Sequence, residues 1–248
     1  MKERYVIVTG AVGAIGASVT TKFLACEIGV IAIDKLPFSD VAHSRLKFLQ
    51  CDLGKVAECS NEADKLYKNV IELVGEGSLV GLINNAALQD LAPTMAITRE
   101  SWHATLNINL NVPLFLTQLF LRDLEASRGS VVNIGSIHSK LTKPKFVAYA
   151  TSKAGLAGLT RAMAVDLAGS VAVNCIEPAA IDTEMLREGF SGDERNFNSL
   201  AECHPSGRIG STQEVAELAY FLTTTPGFIN GAVIGVDGGI SGRLHDPQ

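Results

Sequence analysis

Short apolar runs separated by helical periodicity recur from one end of this chain to the other, and that alternation restricts it to one class of fold. The runs are Arg4-Tyr5-Val6-Ile7-Val8, Gly29 to Ile33, Leu46 to Gln50, Leu79 to Ile83, Ser130 to Ile134, Val171 to Ile176 and Ala232 to Val236. Between them, apolar residues recur at helical spacing from the first glycine turn to about Glu27, from about Ser60 to Val74, from about Glu100 to Leu124, through Tyr149 and Lys153 to about Leu167, and from about Thr212 to Thr223. Strands that are apolar throughout are buried on both faces, which a parallel sheet covered by helices on each side provides. The expected fold is therefore α/β: a Rossmann-like doubly wound sheet of about seven parallel strands, with ligand at their carboxyl ends. A chain of 248 residues with 47% hydrophobic composition can close one large core, so residues 1–248 are read as a single domain. The longest stretch without a strand, Ala179 to Ser211, is rich in Glu, Arg, Gly and Asn and is expected to form a lid over the substrate.

Bulk properties remove several functional classes. A net charge of −5 with scattered lysines and arginines offers no footprint for nucleic acid. Five cysteines, odd in number and without Cys-x-x-Cys spacing, fit reduced thiols better than a disulfide frame and suggest no metal site. The chain enters a strand at once and has no window of ~20 apolar residues, so a cytoplasmic protein without a membrane partner is expected.

Two local patterns carry chemistry. After the first strand, Thr9-Gly10-Ala11-Val12-Gly13-Ala14-Ile15-Gly16 turns into a helix. Glycines there let the backbone approach a pyrophosphate, which the helix N-terminus attracts through free N–H groups. The second strand ends in Asp34, at about the ~20-residue offset of a carboxylate that binds a ribose 2′-hydroxyl and repels a 2′-phosphate. Dinucleotide binding with NAD preferred over NADP follows, with Lys35 partly offsetting the repulsion. Farther on, Tyr149 and Lys153 lie one helical turn apart on one face. A cation near a phenol favours phenolate, so Lys153 is expected to bring Tyr149 toward the range where it can act as acid or base. Other marked positions end strands. Asp52-Leu53 could contact adenine or simply form a turn, Asn84-Asn85-Ala86-Ala87 can tie loops together beside a ribose, and Ser136 can hydrogen-bond a substrate oxygen or act as a cap.

Taken in order, Thr9-Gly10-x-x-x-Ala14-x-Gly16, Asn84-Asn85-Ala86-Ala87, Asn109 after Trp102, Ser136, Tyr149-x-x-x-Lys153 and Pro178-Ala179-x-x-Asp182-Thr183 resemble the compact form of the short-chain dehydrogenase/reductase family, over the whole chain. The resemblance implies Tyr149 as general acid/base, Lys153 lowering its pKa and holding the nicotinamide ribose, Ser136 orienting the reacting oxygen and Asn109 holding a relay water. It also implies that Gly10, Val12, Gly13, Ala14, Ile15, Gly16, Asp34, Lys35, Asp52, Leu53, Asn85, Ala86, Ala87, Pro178, Ala179, Ile181 and Thr183 line the cofactor, NAD or NADH. Pairing through the long helices, as homodimer or homotetramer, is implied likewise. Ala14, Ala87 and Ala179 stand where the family usually has glycine, and a slightly shifted pyrophosphate is the expected consequence.

The reaction so implied interconverts an alcohol and a carbonyl. Gln89, Asp90, His138, Lys140 and His204 lie near motif positions and suggest a hydroxylated or sugar-like small-molecule substrate, with surface residues as the plainer reading. His43, His103 and His245 read as exposed or capping. A 3-oxoacyl-type carbonyl reductase, a nucleotide-sugar epimerase or dehydratase, and a catalytically silent NAD-binding regulator are the alternatives; the second needs a substrate domain for which this chain is short.

Overall fold

The computed structural model describes residues 2–38, 43–188, 190, 194–225 and 228–244. The strands are β1 (Arg4–Thr9), β2 (Gly29–Asp34), β3 (Leu46–Gln50), β4 (Ser78–Asn84), β5 (Ser130–Ile134), β6 (Ala172–Pro178) and β7 (Val233–Val236). They form one sheet in the order β3-β2-β1-β4-β5-β6-β7, parallel at every pairing. The helices are α1 (Ala14–Ala25), α2 (Leu53–Glu58), α3 (Ser60–Val74), α4 (Arg99–Leu106), α5 (Val112–Ser127), α6 (Val147–Asp166), α7 (Glu184–Glu188), α8 (Glu194–Glu202) and α9 (Thr212–Thr224).

Alternation along β1 shows how the sheet divides its core. Tyr5 and Ile7 join Leu66 and Val70 of α3 and Leu116, Phe120 and Leu124 of α5 on one face. Val6 and Val8 join Val19 and Phe23 of α1 and Val215, Ala219 and Leu222 of α9 on the other. The chain winds outward from β1 in both directions, so a crevice opens at the carboxyl ends of β1 and β4, where the winding reverses.

Sequence and structure part at a few boundaries. α1 stops at Ala25, because Glu27 takes a left-handed φ of 60° and turns the chain into β2. α2 is only six residues long and has no sequence periodicity to reveal it. The helical stretch expected from 100 to 124 is interrupted by a π-helical turn, Asn107–Asn111, between α4 and α5. Asparagines compete with helical backbone bonding. Two of these have external partners: Asn107 Nδ2 donates to Gly54 O and Glu58 Oε1, and Asn109 bonds Leu88 and Ser152. The continuous stretch Arg99–Ser127 is 29 residues long and apolar enough on composition to cross a bilayer. Here Val112, Leu116, Phe120 and Leu124 lie in the core against the sheet.

The stretch 179–211 holds α7 and α8, and its two ends are fastened together. Ile181 bridges Gly210, with Asp182 N donating to Gly210 O and Gly210 N to Ala180 O. Positions 189 and 191–193 of that stretch, and His245, lie outside the described residues.

Candidate active site

At the β1–α1 turn, Gly10 has φ +62°, and Gly16 packs so closely that a Cβ there would sit 2.1 Å from Gly10 O and 2.8 Å from Ala11 Cα. The turn is clamped from β4: Asn85 Nδ2 donates to Thr9 O and Gly10 O at 2.9 Å each, while Asn85 N and Ala86 N donate to Thr9 Oγ1. Gly13 caps α1 without a side-chain acceptor, and no acid lies in the first turn. The helix therefore presents N–H groups and positive potential to an anion, which a pyrophosphate fits. Ala14 opens α1 with its side chain exposed, Ala87 is exposed and Ala179 half-buried, and none of the three has positive φ. Their methyl groups thus cost no backbone strain.

Asp34 is buried at the end of β2, its Oδ2 accepting from Val12 N and its Oδ1 from Leu36 N, both at 3.0 Å. Two carboxylate oxygens offer about four acceptor positions, so capacity for a ribose diol remains. Lys35 is exposed next to it. Asp52 accepts from Gly54 N and caps α2, with acceptor capacity to spare, while Leu53 is buried. Thr183 Oγ1 accepts from Leu186 N at the start of α7, Ile181 is buried, and Pro178 ends β6.

Ser136, Tyr149 and Lys153 converge where β5 ends and α6 begins. Lys153 is 2% exposed; its Nζ donates to Ile134 O at 2.7 Å and lies 5.6 Å from the centre of the Tyr149 ring. Burial pushes the Lys153 ammonium down to about 8. Burial also pushes the Tyr149 phenol above its ordinary range, with the Ser136 hydroxyl pulling the other way. In the free protein desolvation sets the direction of the Tyr149 shift, and Lys153 spends one of its three donors on Ile134 O. The Asn109 side chain is fully engaged within the protein. Its Oδ1 accepts from Leu88 N, and its Nδ2 donates to Leu88 O and Ser152 Oγ, so the side chain joins the loop after β4 to α6.

Among the polar residues flagged near the motifs, Asp90 bonds Ser101, Lys140 pairs with Glu177, His204 is buried with its Nδ1 on Leu200 O, and Gln89 is exposed. Only His138 touches the central group, its ring centre 5.8 Å from that of Tyr149.

Sequence reasoning missed Glu177. Its side chain is 2% exposed at the end of β6, bonded by Ser139 and paired with Lys140 Nζ at 3.0 Å. The carboxylate thereby fastens the turn after Ser136 to the neighbouring strand; a lone acid within an otherwise apolar run was the available signal. Also missed was a buried polar ladder, Asn84 Nδ2 to Asn133 Oδ1 and Asn133 Nδ2 to Thr160 Oγ1, both 2.9 Å, tying β4, β5 and α6 together. Lys140→Met leaves the Glu177 carboxylate buried with only a hydroxyl partner. It is expected to cost about 1–3 kcal/mol, discounted because the lysine is half in solvent, as read by chemical denaturation. Unchanged stability would show that the pair fastens nothing.

Known proteins share this architecture. A family model described as enoyl-(acyl carrier protein) reductase matches residues 10–241. The 3-oxoacyl-(acyl-carrier-protein) reductase FabG of Thermotoga maritima is 31% identical over 251 residues, covering 97% of this chain and 98% of the relative. Among solved structures, the ligand-free aldohexose dehydrogenase of Thermoplasma acidophilum superposes with a TM-score of 0.90 at 27% identity, covering 100% of this chain and 97% of that one. A putative NAD(P)-dependent gluconate 5-dehydrogenase from Beutenbergia cavernae, with NADP bound at low occupancy, gives 0.85 at 26% identity and covers 98% of each chain. The glycine turn clamped by Asn85, the Ser136, Tyr149 and Lys153 cluster and these full-length matches lead to one assignment: the chain belongs to the short-chain dehydrogenase/reductase family and is an oxidoreductase that uses a nicotinamide cofactor.

Proposed function

We propose that this protein is an NAD(H)-dependent dehydrogenase that interconverts an alcohol and a carbonyl on a hydroxylated or sugar-like small molecule in the cytoplasm. The observation that carries the reading is the convergence of Ser136, Tyr149 and Lys153 at the carboxyl end of a sheet whose β1–α1 turn is shaped for a pyrophosphate. Two neighbours in structure, named for aldohexose and gluconate, support the substrate class.

Bound nicotinamide supplies or accepts the hydride at the carbon bearing oxygen. Tyr149 takes the proton from the alcohol oxygen in oxidation and returns it in reduction, and Ser136 orients that oxygen. An ammonium has three donors; Lys153 spends one on Ile134 O, leaving two for the nicotinamide ribose and the phenolate. Since the Asn109 side chain is committed to Leu88 and Ser152, a relay water falls to its main chain. Val12, Gly13, Ala14, Ile15 and Gly16 would hold the pyrophosphate, Asp52 and Leu53 the adenine, Asn85, Ala86 and Ala87 the adjoining ribose, and Ile181 and Thr183 the carboxamide, with Pro178 and Ala179 also lining the cofactor. Helices α7 and α8, between β6 and α9, form the lid over the substrate. Exposed Phe115 of α5 and Val147 and Val165 of α6 give subunits a face on which to pair, as homodimer or homotetramer, which sedimentation tests.

Because the phenol is raised by burial, alcohol oxidation, which needs the phenolate, is expected to speed up as pH rises from neutral into the alkaline range. Carbonyl reduction, which needs the phenol, is expected to hold steady or fall over the same range. Initial rates in both directions check this, and parallel profiles would contradict it.

Cofactor choice rests on Asp34. A carboxylate about 4 Å from a phosphate charge is repelled by about 4 kcal/mol at a near-surface dielectric, more than the exposed Lys35 recovers across solvent. Asp34→Ser is expected to raise NADPH affinity relative to NADH at least about tenfold, since about 1.4 kcal/mol is a factor of ten and the repulsion removed is larger. Tighter binding of NADPH than NADH by the unaltered protein, measured by fluorescence titration, would overturn the NAD assignment. A second reading, reduction of a 3-oxoacyl thioester, is favoured by the FabG relative. NADH consumption with acetoacetyl thioesters but not with aldoses or alditols would select it.

A further inference from the structure

Beside Tyr149 stands an imidazole that the reaction as described does not use. His138 follows Ser136 by two residues, and its backbone N donates to Ser136 Oγ at 3.2 Å. Its ring lies face to face with Phe146, centres 4.2 Å apart and planes 14° apart, and meets Tyr149 edge-on at 5.8 Å. Lys143 Nζ covers the Phe146 ring at 4.9 Å. The imidazole is thus held between aromatic rings in one orientation.

Its two nitrogens differ. Nδ1 is sequestered from solvent without a hydrogen-bond partner, and no described residue bonds Nε2. A bare buried lone pair is cheaper than a bare buried N–H, so the proton belongs on Nε2. Burial and the Lys143 charge push the imidazole down to about 4, so the ring stays neutral in the working range. What remains is a rigid, unpartnered N–H donor on the ring next to the acid/base.

We propose that His138 determines specificity by donating its Nε2–H to a second oxygen of the substrate, beyond the one that exchanges a proton with Tyr149, so that polyols and sugars are favoured over simple alcohols. This rests on the alcohol–carbonyl reading above and names the group that selects within it. A hydrogen bond in a desolvated site is worth about 1–3 kcal/mol, or about tenfold to a hundredfold in discrimination.

The test compares kcat/KM for threitol and for secondary butanol, which share a four-carbon skeleton, with NAD as oxidant. The proteins are wild type, His138→Phe, which keeps the ring stack without a donor, and His138→Gln, which restores an N–H. The threitol-to-butanol ratio is expected to fall about tenfold to a hundredfold in the phenylalanine variant and to recover most of that in the glutamine variant. Equal losses on both substrates, or an unchanged ratio, overturn the proposal, because a residue that only supports Ser136 and Tyr149 affects both alike. Wild-type oxidation of butanol but not threitol also overturns it while leaving the alcohol–carbonyl reading standing. Turnover of neither, nor of any alditol or aldose, refutes the underlying reading itself.

Discussion

Replacing Tyr149 by phenylalanine is expected to lower kcat by about 100- to 10,000-fold, the usual contribution of a positioned acid/base, with nucleotide affinity changed only a few-fold. The size follows from the lack of a substitute. The Ser136 hydroxyl already accepts from His138 N, and a serine hydroxyl does not ionise in the working range. His138, pushed to about 4, is neither charged as an acid nor strong as a base. Lys153 comes nearest, at about 8, but its Nζ is held on Ile134 O beneath the ring. The ring itself is retained in phenylalanine, and with it the edge contacts to His138 and Phe146, at 5.8 and 6.1 Å between centres. Thermal unfolding should therefore move little. Lost activity accompanied by a large fall in melting temperature would point to a packing role for the residue instead.

Gly16→Ala is expected to have the second large effect, this time on binding and stability together. The added methyl would meet Gly10 O at 2.1 Å, Ala11 Cα at 2.8 Å and Asn85 Nδ2 at 2.9 Å. None of these yields freely, because Asn85 is bonded to both Thr9 O and Gly10 O and so fastens the turn to β4. Either α1 moves away from the turn or the clamp breaks. Overpacking of this kind costs about 1–3 kcal/mol or more, and displacing the first turn of α1 removes the N–H groups offered to the pyrophosphate. NADH affinity is expected to fall at least about a hundredfold, which is roughly 3 kcal/mol. Gly13→Ala is the control for stability: its Cβ would meet nothing nearer than Gly10 O at 3.5 Å. If Gly16→Ala binds NADH as well as wild type, the turn is not the pyrophosphate site.

Much of this is legible in the sequence. Buried strands announce themselves as unbroken apolar runs, so all seven strands and their parallel winding followed from the sequence, and α3 from Ser60 to Val74 matched to the residue. Glycine turn, terminal carboxylate and Tyr-x-x-x-Lys were legible for another reason: each is a local spacing. What escaped depends on tertiary surroundings. A π-helical turn has no periodic signature, and only the asparagines at 107, 109 and 111 hinted at one. Glu177 reads as a surface acid until β6 places it under the Ser136 turn. The effect of burial on Tyr149 was not legible, because spacing shows which charge is near but not how much water has been removed.

The most direct measurement mixes saturating NAD with excess enzyme and a limiting alditol or sugar, and follows nicotinamide absorbance and proton release through a single turnover. Wild type is expected to form reduced nicotinamide stoichiometrically with release of one proton per substrate, while Tyr149→Phe binds NAD and forms almost none. Wild-type enzyme that binds NAD yet reduces it with no alcohol, or a phenylalanine variant that turns over at the wild-type rate, would contradict the assignment of Tyr149 as the group that exchanges the proton.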